Sequence, residues 1–159
     1  MSGFRPLSAV AAALAVASGG AGVTLAAATP ASAAPSCAGT ALVTGVYRSH
    51  LVPIRVPTTA NGARNMNCNL GLGNAGPAVA RLQIALDFCN RSLWGSPLLS
   101  IDSQYGPLTR QAVHTVQHNL GIASSGVYGP ITGHRLDWPV AGTNNRECAA
   151  WHSSGVPPA

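Results

Sequence analysis

The sequence contains no lysine, and its 159 residues include only four acidic side chains. The nine basic residues are all arginines, and from Arg48 to Arg146 they are scattered singly, without a basic run or stripe. A nucleic-acid-binding protein needs a concentrated basic surface, so this pattern argues against a nucleic-acid partner. Four scattered carboxylates also give little material for the paired carboxylates of acid–base catalysis, and no enzymatic activity is expected.

The longest apolar stretch lies at the N-terminus. Arg5 precedes the apolar run Leu7–Ala17, and Ala31-Ser32-Ala33 fits the small-residue rule for cleavage. These features predict a signal peptide at residues 1–33 and a secreted, extracellular mature chain. Eight arginines against four acids would then leave a net charge of +4. The alternative, an uncleaved anchor, is disfavoured because glycine and alanine dominate the candidate span, so no stable membrane insertion is expected.

The four cysteines form an even number in a small chain that is expected to be exported, and this predicts two disulfides. Their spacing matches no zinc pattern, so neither a metal nor a cofactor is expected. Three pairings are possible. We favour Cys68–Cys89 with Cys37–Cys148, because the loop 69–88 is long enough to run back along a helix that ends at Cys89.

Hydrophobic periodicity changes at Pro77. Before it, residues 34–72 read as loop with one extended edge strand at Leu51–Val56, whose Val52, Ile54 and Val56 share a face. After it, apolar residues recur at helical spacing in two helices, and a third short helix covers 130–137. The predicted core stripes are Val79, Leu82, Leu86 and Cys89 in the first helix, and Val113, Val116 and Leu120 in the second.

Two short motifs occur twice. Val79–Leu86 and Val113–Leu120 share V-x-x-[LV]-Q-x-x-L, and Tyr-Gly-Pro-Leu-Thr at Tyr105 returns as Tyr-Gly-Pro-Ile-Thr at Tyr128. In each Tyr-Gly-Pro start, glycine suits the cap and proline presets the first helical φ. We expect Gln83 and Gln117, at twin positions in the first motif, to bond the backbone of a neighbouring turn.

The order of these motifs resembles the three-helix peptidoglycan-binding domain family. The departures are Ser103 for the usual glycine, Ser125 for the usual aspartate and Val116 for a common phenylalanine. The resemblance implies a mainly α fold: a small three-helix module at 73–138, with a loop-rich extension at 34–72 and a tail at 139–159. It also implies a non-catalytic, cell-wall-associated protein whose partner is peptidoglycan. The alternative is a small disulfide-stapled secreted interaction protein that inhibits or regulates a secreted wall hydrolase.

The expected ligand surface is the mouth where the two repeated turns approach each other. Its predicted residues are Asp102, Tyr105, Thr109, Arg110, Tyr128 and Thr132. Arg110 at a helix N-terminus suits a carboxylate, such as those of wall stem peptides. The residues leave open whether the glycan or the stem peptide is bound.

Three further features have competing interpretations. His114 and His118 have a spacing that can hold zinc, but no third ligand follows, so both are expected to be solvated. Trp94 and Trp138 could be exposed stacking platforms or buried caps. Ile84 and Phe88 form a second apolar stripe on the first helix, and we expect Leu51–Val56 to lie across them.

Overall fold

The computed structural model describes residues 34–151, and the predicted signal peptide at 1–33 lies outside them. Four strands and four helices follow one another in the described part: β1 (Gly39–Tyr47), β2 (His50–Thr58), α1 (Pro77–Ile84), α2 (Arg91–Trp94), α3 (Pro107–Asn119), α4 (Pro130–Arg135), β3 (Asp137–Pro139) and β4 (Cys148–Trp151). A π-helical turn, Ala85–Cys89, continues α1. None of the described helices has the length and apolar character needed to cross a membrane.

The strands form one antiparallel sheet in the order β2-β1-β4-β3. β1 and β2 are a hairpin paired from Gly39 and Thr58 down to Tyr47 and His50, closed by Arg48 and Ser49 with φ of 46° and 67°. The expectation of a mainly α, three-helix module is therefore wrong, because the fold mixes helices with a four-stranded sheet. The sequence did not predict the hairpin, because its turn residues, Arg48 and Ser49, adopt the required left-handed backbone but are not the Asn-Gly or Gly-Gly pair that is typical of such turns.

Each longer helix begins in the same way. The N-cap is Gly76 for α1, Gly106 for α3 and Gly129 for α4, and a proline follows at the first helical position in every case. Proline is favoured there because its φ suits the helix and its missing N–H would have no partner in the first turn. The predicted helix starts are confirmed.

The core joins both halves of the chain. Most of each expected helical stripe is buried, with Val79, Leu82 and Leu86 from the first helix and Val113 and Val116 from the second. The last residue of each stripe, Cys89 and Leu120, is only half-buried. Strand β2 adds Ile54 and Val56, which are fully buried in the same cluster. Trp138 is buried as well, and its indole N–H donates to the carbonyl of Gly133 at 2.9 Å. Trp94 is half-buried and donates to the carbonyl of Leu86 at 3.0 Å.

The prediction that Leu51–Val56 lies across Ile84 and Phe88 is wrong. Strand β2 does pack against α1, yet Phe88 remains 52% exposed and Ile84 is only half-buried. The π-helical turn explains the error: its i→i−5 hydrogen bonds, such as Asn90 N–H to Ala85 at 3.1 Å, rotate the residues after Ile84 away from the 3.6-residue wheel. A wheel extended past Ile84 therefore assigns Phe88 to the wrong face.

Two disulfides are present, but the favoured pairing is wrong. The bonds are Cys37–Cys68 and Cys89–Cys148, and no free cysteine remains among the described residues. The segment 69–76 does not run back along α1. It pairs with the two repeated turns, and Cys37 N–H bonds the carbonyl of Asn69 at 2.9 Å, which holds Cys68 beside Cys37.

Candidate functional site

The first repeated turn is organised by Gln83, which is buried on α1. Its side-chain carbonyl accepts from the N–H of Ser103 at 3.0 Å, and its NH₂ donates to the carbonyl of Gln104 at 2.9 Å. The same NH₂ donates to Asp102 Oδ1 at 2.8 Å and reaches Thr109 Oγ1 at 3.2 Å. One amide therefore holds the turn to α1 and to the first turn of α3.

The second turn is organised in the same way by Gln117, which is buried on α3. Its carbonyl accepts from the N–H of Gly126 at 2.9 Å. Its NH₂ donates to the carbonyl of Val127 and to Thr132 Oγ1, both at 2.8 Å. The predicted backbone role of both glutamines is confirmed, and the sequence echo corresponds to one structural device used twice.

The two turns meet through a tyrosine and through a shared neighbour. The hydroxyl of Tyr105 donates to the carbonyl of Gly126 at 3.0 Å. On the other side, the segment 69–76 pairs with both turns: Tyr105 N–H bonds the carbonyl of Asn74 at 2.8 Å, and Leu70 and Tyr128 exchange two bonds of 2.9 Å. The expectation that the two turns approach each other thus agrees with the fold.

The six predicted contact residues divide into two groups. Tyr105, Thr109, Tyr128 and Thr132 are buried, with 1–3% of each residue exposed. The threonine hydroxyls accept from the glutamines, and burial raises the pKa of both tyrosine hydroxyls. These four residues build the turns, so their side chains offer a ligand little surface. Asp102 and Arg110 are exposed.

Arg110 lines a groove on the surface of α3, which we call the α3 groove. The groove has a volume of about 330 Å³ and is lined by Leu72, Pro107, Arg110, Gln111 and His114. The backbone of Gly126 lies directly against the Arg110 stem, since a Cβ built there would be 2.8 Å from Arg110 Cγ. The arginine therefore stands at the junction of α3 with the second turn, and among residues 34–151 it forms no ion pair.

Apolar surface continues beyond the second turn. A second depression, of about 270 Å³, includes Val127, Ile131 and the buried Thr132. Val127 is 41% exposed and Ile131 is 70% exposed, and Leu72 in the α3 groove is 55% exposed. Sequence reasoning did not identify Leu72, Gln111, Val127 and Ile131 as candidates for a ligand surface, and it treated His114 only as a solvated histidine. Leu72 and Val127 lie outside helices and strands, so no hydrophobic periodicity reports their exposure.

Asp102 lies outside both depressions. The hydrogen bond from Gln83, with a second from the N–H of Gln104 at 2.9 Å, holds the pKa of its carboxyl below the usual range. A carboxylate held in its charged form in this way caps the turn and suits proton donation poorly. Its first role is to stabilise the turn.

The remaining chemical candidates are the two histidines of α3 and Asp87. His114 and His118 are both exposed, as expected. Asp87 forms an ion pair with Arg91 at 3.7 Å. In the described part of the chain, no three histidine, cysteine or acidic side chains stand close enough together to hold a metal ion.

Comparison with known proteins agrees with the family resemblance. Residues 75–136 match the family model described as "Putative peptidoglycan binding domain". The chain is also similar to the zinc D-Ala-D-Ala carboxypeptidase of Streptomyces albus G, with 34% identity over 80 residues. That alignment covers 48% of this chain and 29% of the carboxypeptidase, so the two share only part of their length. The resemblance to the peptidoglycan-binding domain family is confirmed over the matched residues.

Proposed function

We propose that the protein is exported and binds cell-wall peptidoglycan through the α3 groove without cleaving it. The observation that carries this proposal is the exposed Arg110 on α3, which lies within the matched residues and forms no ion pair with any residue in 34–151. The guanidinium stands beside the exposed apolar Leu72, and Gln111 and His114 add polar groups along the same helix. This combination suits a carboxylate-bearing, partly apolar stem peptide.

Cell-wall binding without catalysis is also consistent with the side chains available in residues 34–151. The cysteines are consumed in disulfides, so they supply no thiolate nucleophile. Asp102 is engaged by Gln83 and Asp87 by Arg91, which leaves neither as a free partner in a carboxylate pair. The zinc chemistry in the name of the similar carboxypeptidase belongs to that protein, of which this chain covers less than a third.

Cosedimentation with purified wall sacculi at low salt tests the proposal. We expect the protein to pellet with the sacculi and Arg110→Ala to weaken retention by about 1.5–3 kcal/mol, the typical value of a hydrogen bond to a charged group. Arg135→Ala is the matched control, because Arg135 is exposed but lines neither depression. Protein that stays in the supernatant contradicts wall binding, and soluble muropeptides released from the pellet contradict the non-catalytic part.

A regulator of a secreted wall hydrolase is the alternative partner class. It would bind the enzyme in solution without sacculi, and Arg110→Ala would leave its sedimentation behaviour unchanged. The sacculus assay therefore separates the two.

A further inference from the structure

Two arginines that are far apart in the sequence line one pocket, which shares no residue with the α3 groove. Arg55 on β2 and Arg81 on α1 line a pocket of about 350 Å³. The loop between β3 and β4 closes it, with lining residues Val140, Ala141, Gly142, Asn144 and Asn145. We call this the Arg55–Arg81 pocket. Apart from Val140 and Ala141, its lining consists of charged side chains, amide side chains and glycine backbone.

Two of the three guanidinium nitrogens of Arg81 donate hydrogen bonds to backbone carbonyls. Its Nε–H donates to the carbonyl of Arg55 at 2.7 Å, and Nη2 donates to the carbonyl of Pro139 at 2.8 Å. Within residues 34–151, Nη1 has no partner. The guanidinium is thus held rigidly by two carbonyls, with a terminal nitrogen left for a ligand.

The positive charge at this pocket has no counterion from the described residues. Neither Arg55 nor Arg81 forms an ion pair there, since Asp87 is taken by Arg91 and Glu147 contacts neither arginine within ion-pair distance. Burial, and then the charge of Arg55, lowers the pKa of Arg81 to about 10. Two neighbouring guanidinium groups repel each other, and an anion between them would relieve that repulsion.

The loop opposite the arginines presents further donors. Gly142, Asn144 and Asn145 all have left-handed backbone, with φ of 87°, 51° and 62°. Asn144 and Asn145 are the central residues of a turn that the Arg146 N–H closes onto the Thr143 carbonyl at 3.1 Å. The free N–H groups of a turn can contribute to an anion site, and the two asparagine side chains carry amide donors as well. Within residues 34–151, the side chain of Arg55 makes one bond, of 3.3 Å, to the hydroxyl of half-buried Thr40 on β1, so it would have to turn away from Thr40 to reach a ligand in this pocket.

We propose that the Arg55–Arg81 pocket binds one oxyanion, a carboxylate or a phosphate group. Arg55 and Arg81 would each present guanidinium donors to the anion, and the Asn144–Asn145 turn would contact it from the opposite side. The site is separate from the α3 groove and does not depend on peptidoglycan binding. Its position between β2, α1 and the β3–β4 loop means that an occupied pocket would join the sheet to the matched domain.

A two-dimensional NMR titration with sodium phosphate and, separately, sodium acetate at constant ionic strength tests the site. We expect saturable shifts of the Gly142, Asn144 and Asn145 amides and of the Arg81 Nε–H. Shifts that saturate with either anion support the site. A comparison of the phosphate and acetate titrations then identifies the anionic group that the site prefers. Non-saturating shifts spread over all exposed arginines would show screening only and would overturn the proposal.

Substitutions at Arg55 give the second readout. Arg55→Gln should weaken anion binding about 10-fold, because it removes one charged donor. Arg55→Lys should bind with intermediate strength, because it keeps the charge and loses the planar fork. Arg135→Gln removes the same charge elsewhere and should leave binding unchanged. If the Arg55→Gln protein is folded and binds the anion with the affinity of the original protein, the proposed site is rejected. These titrations contain no sacculi, so their failure leaves peptidoglycan binding untouched, and the reverse also holds.

Discussion

Ser103 and Gly126 occupy the same position in two copies of one turn. Their φ values are 64° and 68°, and each N–H donates to a buried glutamine, Gln83 at 3.0 Å and Gln117 at 2.9 Å. Left-handed backbone costs an L-residue about 1–2 kcal/mol, whereas glycine adopts it freely. The first turn therefore carries strain that the second avoids.

Ser103→Gly should raise the free energy of unfolding by about 0.5–1 kcal/mol. Removal of the left-handed penalty outweighs the greater freedom of glycine in the unfolded chain. Chemical denaturation measures the change. The reciprocal substitution, Gly126→Ser, should destabilise the protein, because its Cβ would lie 2.8 Å from Arg110 Cγ. A Ser103→Gly protein that is less stable than the original would contradict this account.

Gln117→Ala should lower the free energy of unfolding by about 2–4 kcal/mol, because it removes three bonds and leaves the buried N–H of Gly126 without its acceptor. Gln111→Ala on the exposed face of the same helix is the matched control. That control should stay within about 0.5 kcal/mol of the original protein, as exposed substitutions usually do. Equal losses at the two positions would refute a special role for the buried amide.

The stability of the first turn should depend on acid pH. The bond from Gln83 lowers the pKa of Asp102 in the folded state below its unfolded value of about 4. The contribution of Asp102 is therefore fully present above pH 4 and is lost as the pH falls through the folded pKa. NMR titration of the carboxyl carbon and denaturation at several pH values measure the effect. In the Asp102→Asn protein, the loss of stability that comes from protonation of Asp102 should disappear. A folded-state pKa of Asp102 at or above the ordinary carboxyl value would contradict this prediction.

Removal of either disulfide should be costly. The loss of chain entropy on loop closure predicts a contribution of about 4 kcal/mol from each disulfide. The contribution of Cys89–Cys148 should be slightly larger, because its cysteines are 59 residues apart in the sequence, whereas Cys37 and Cys68 are 31 apart. Paired cysteine-to-alanine variants in a denaturation series measure this. Non-reducing peptide mapping checks the connectivity itself, and a peptide that joins Cys68 to Cys89 would refute the structure at this point.

The amino-acid sequence by itself determined the features that depend on near neighbours in the chain. Helix bonds join residues four apart, so the periodicity of Val79, Leu82 and Leu86 and the Gly-Pro starts were enough to place the helices. The repeated motifs likewise identified Gln83 and Gln117 as partners of the turns. The family match over residues 75–136 rests on the same local motifs.

Tertiary structure decided whatever joins residues that are far apart in the sequence. Pairing of β1 with β4, and of Cys89 with Cys148, depends on segments separated by tens of residues, and alternation along one strand does not identify its partner. Burial of Tyr105 and Tyr128 follows from the docking of segment 69–76 between the turns. The Arg55–Arg81 pocket also depends on tertiary structure, because it forms where β2, α1 and the β3–β4 loop converge. The two arginines come close together there because the packing of the surrounding core fixes the backbone of β2 and α1.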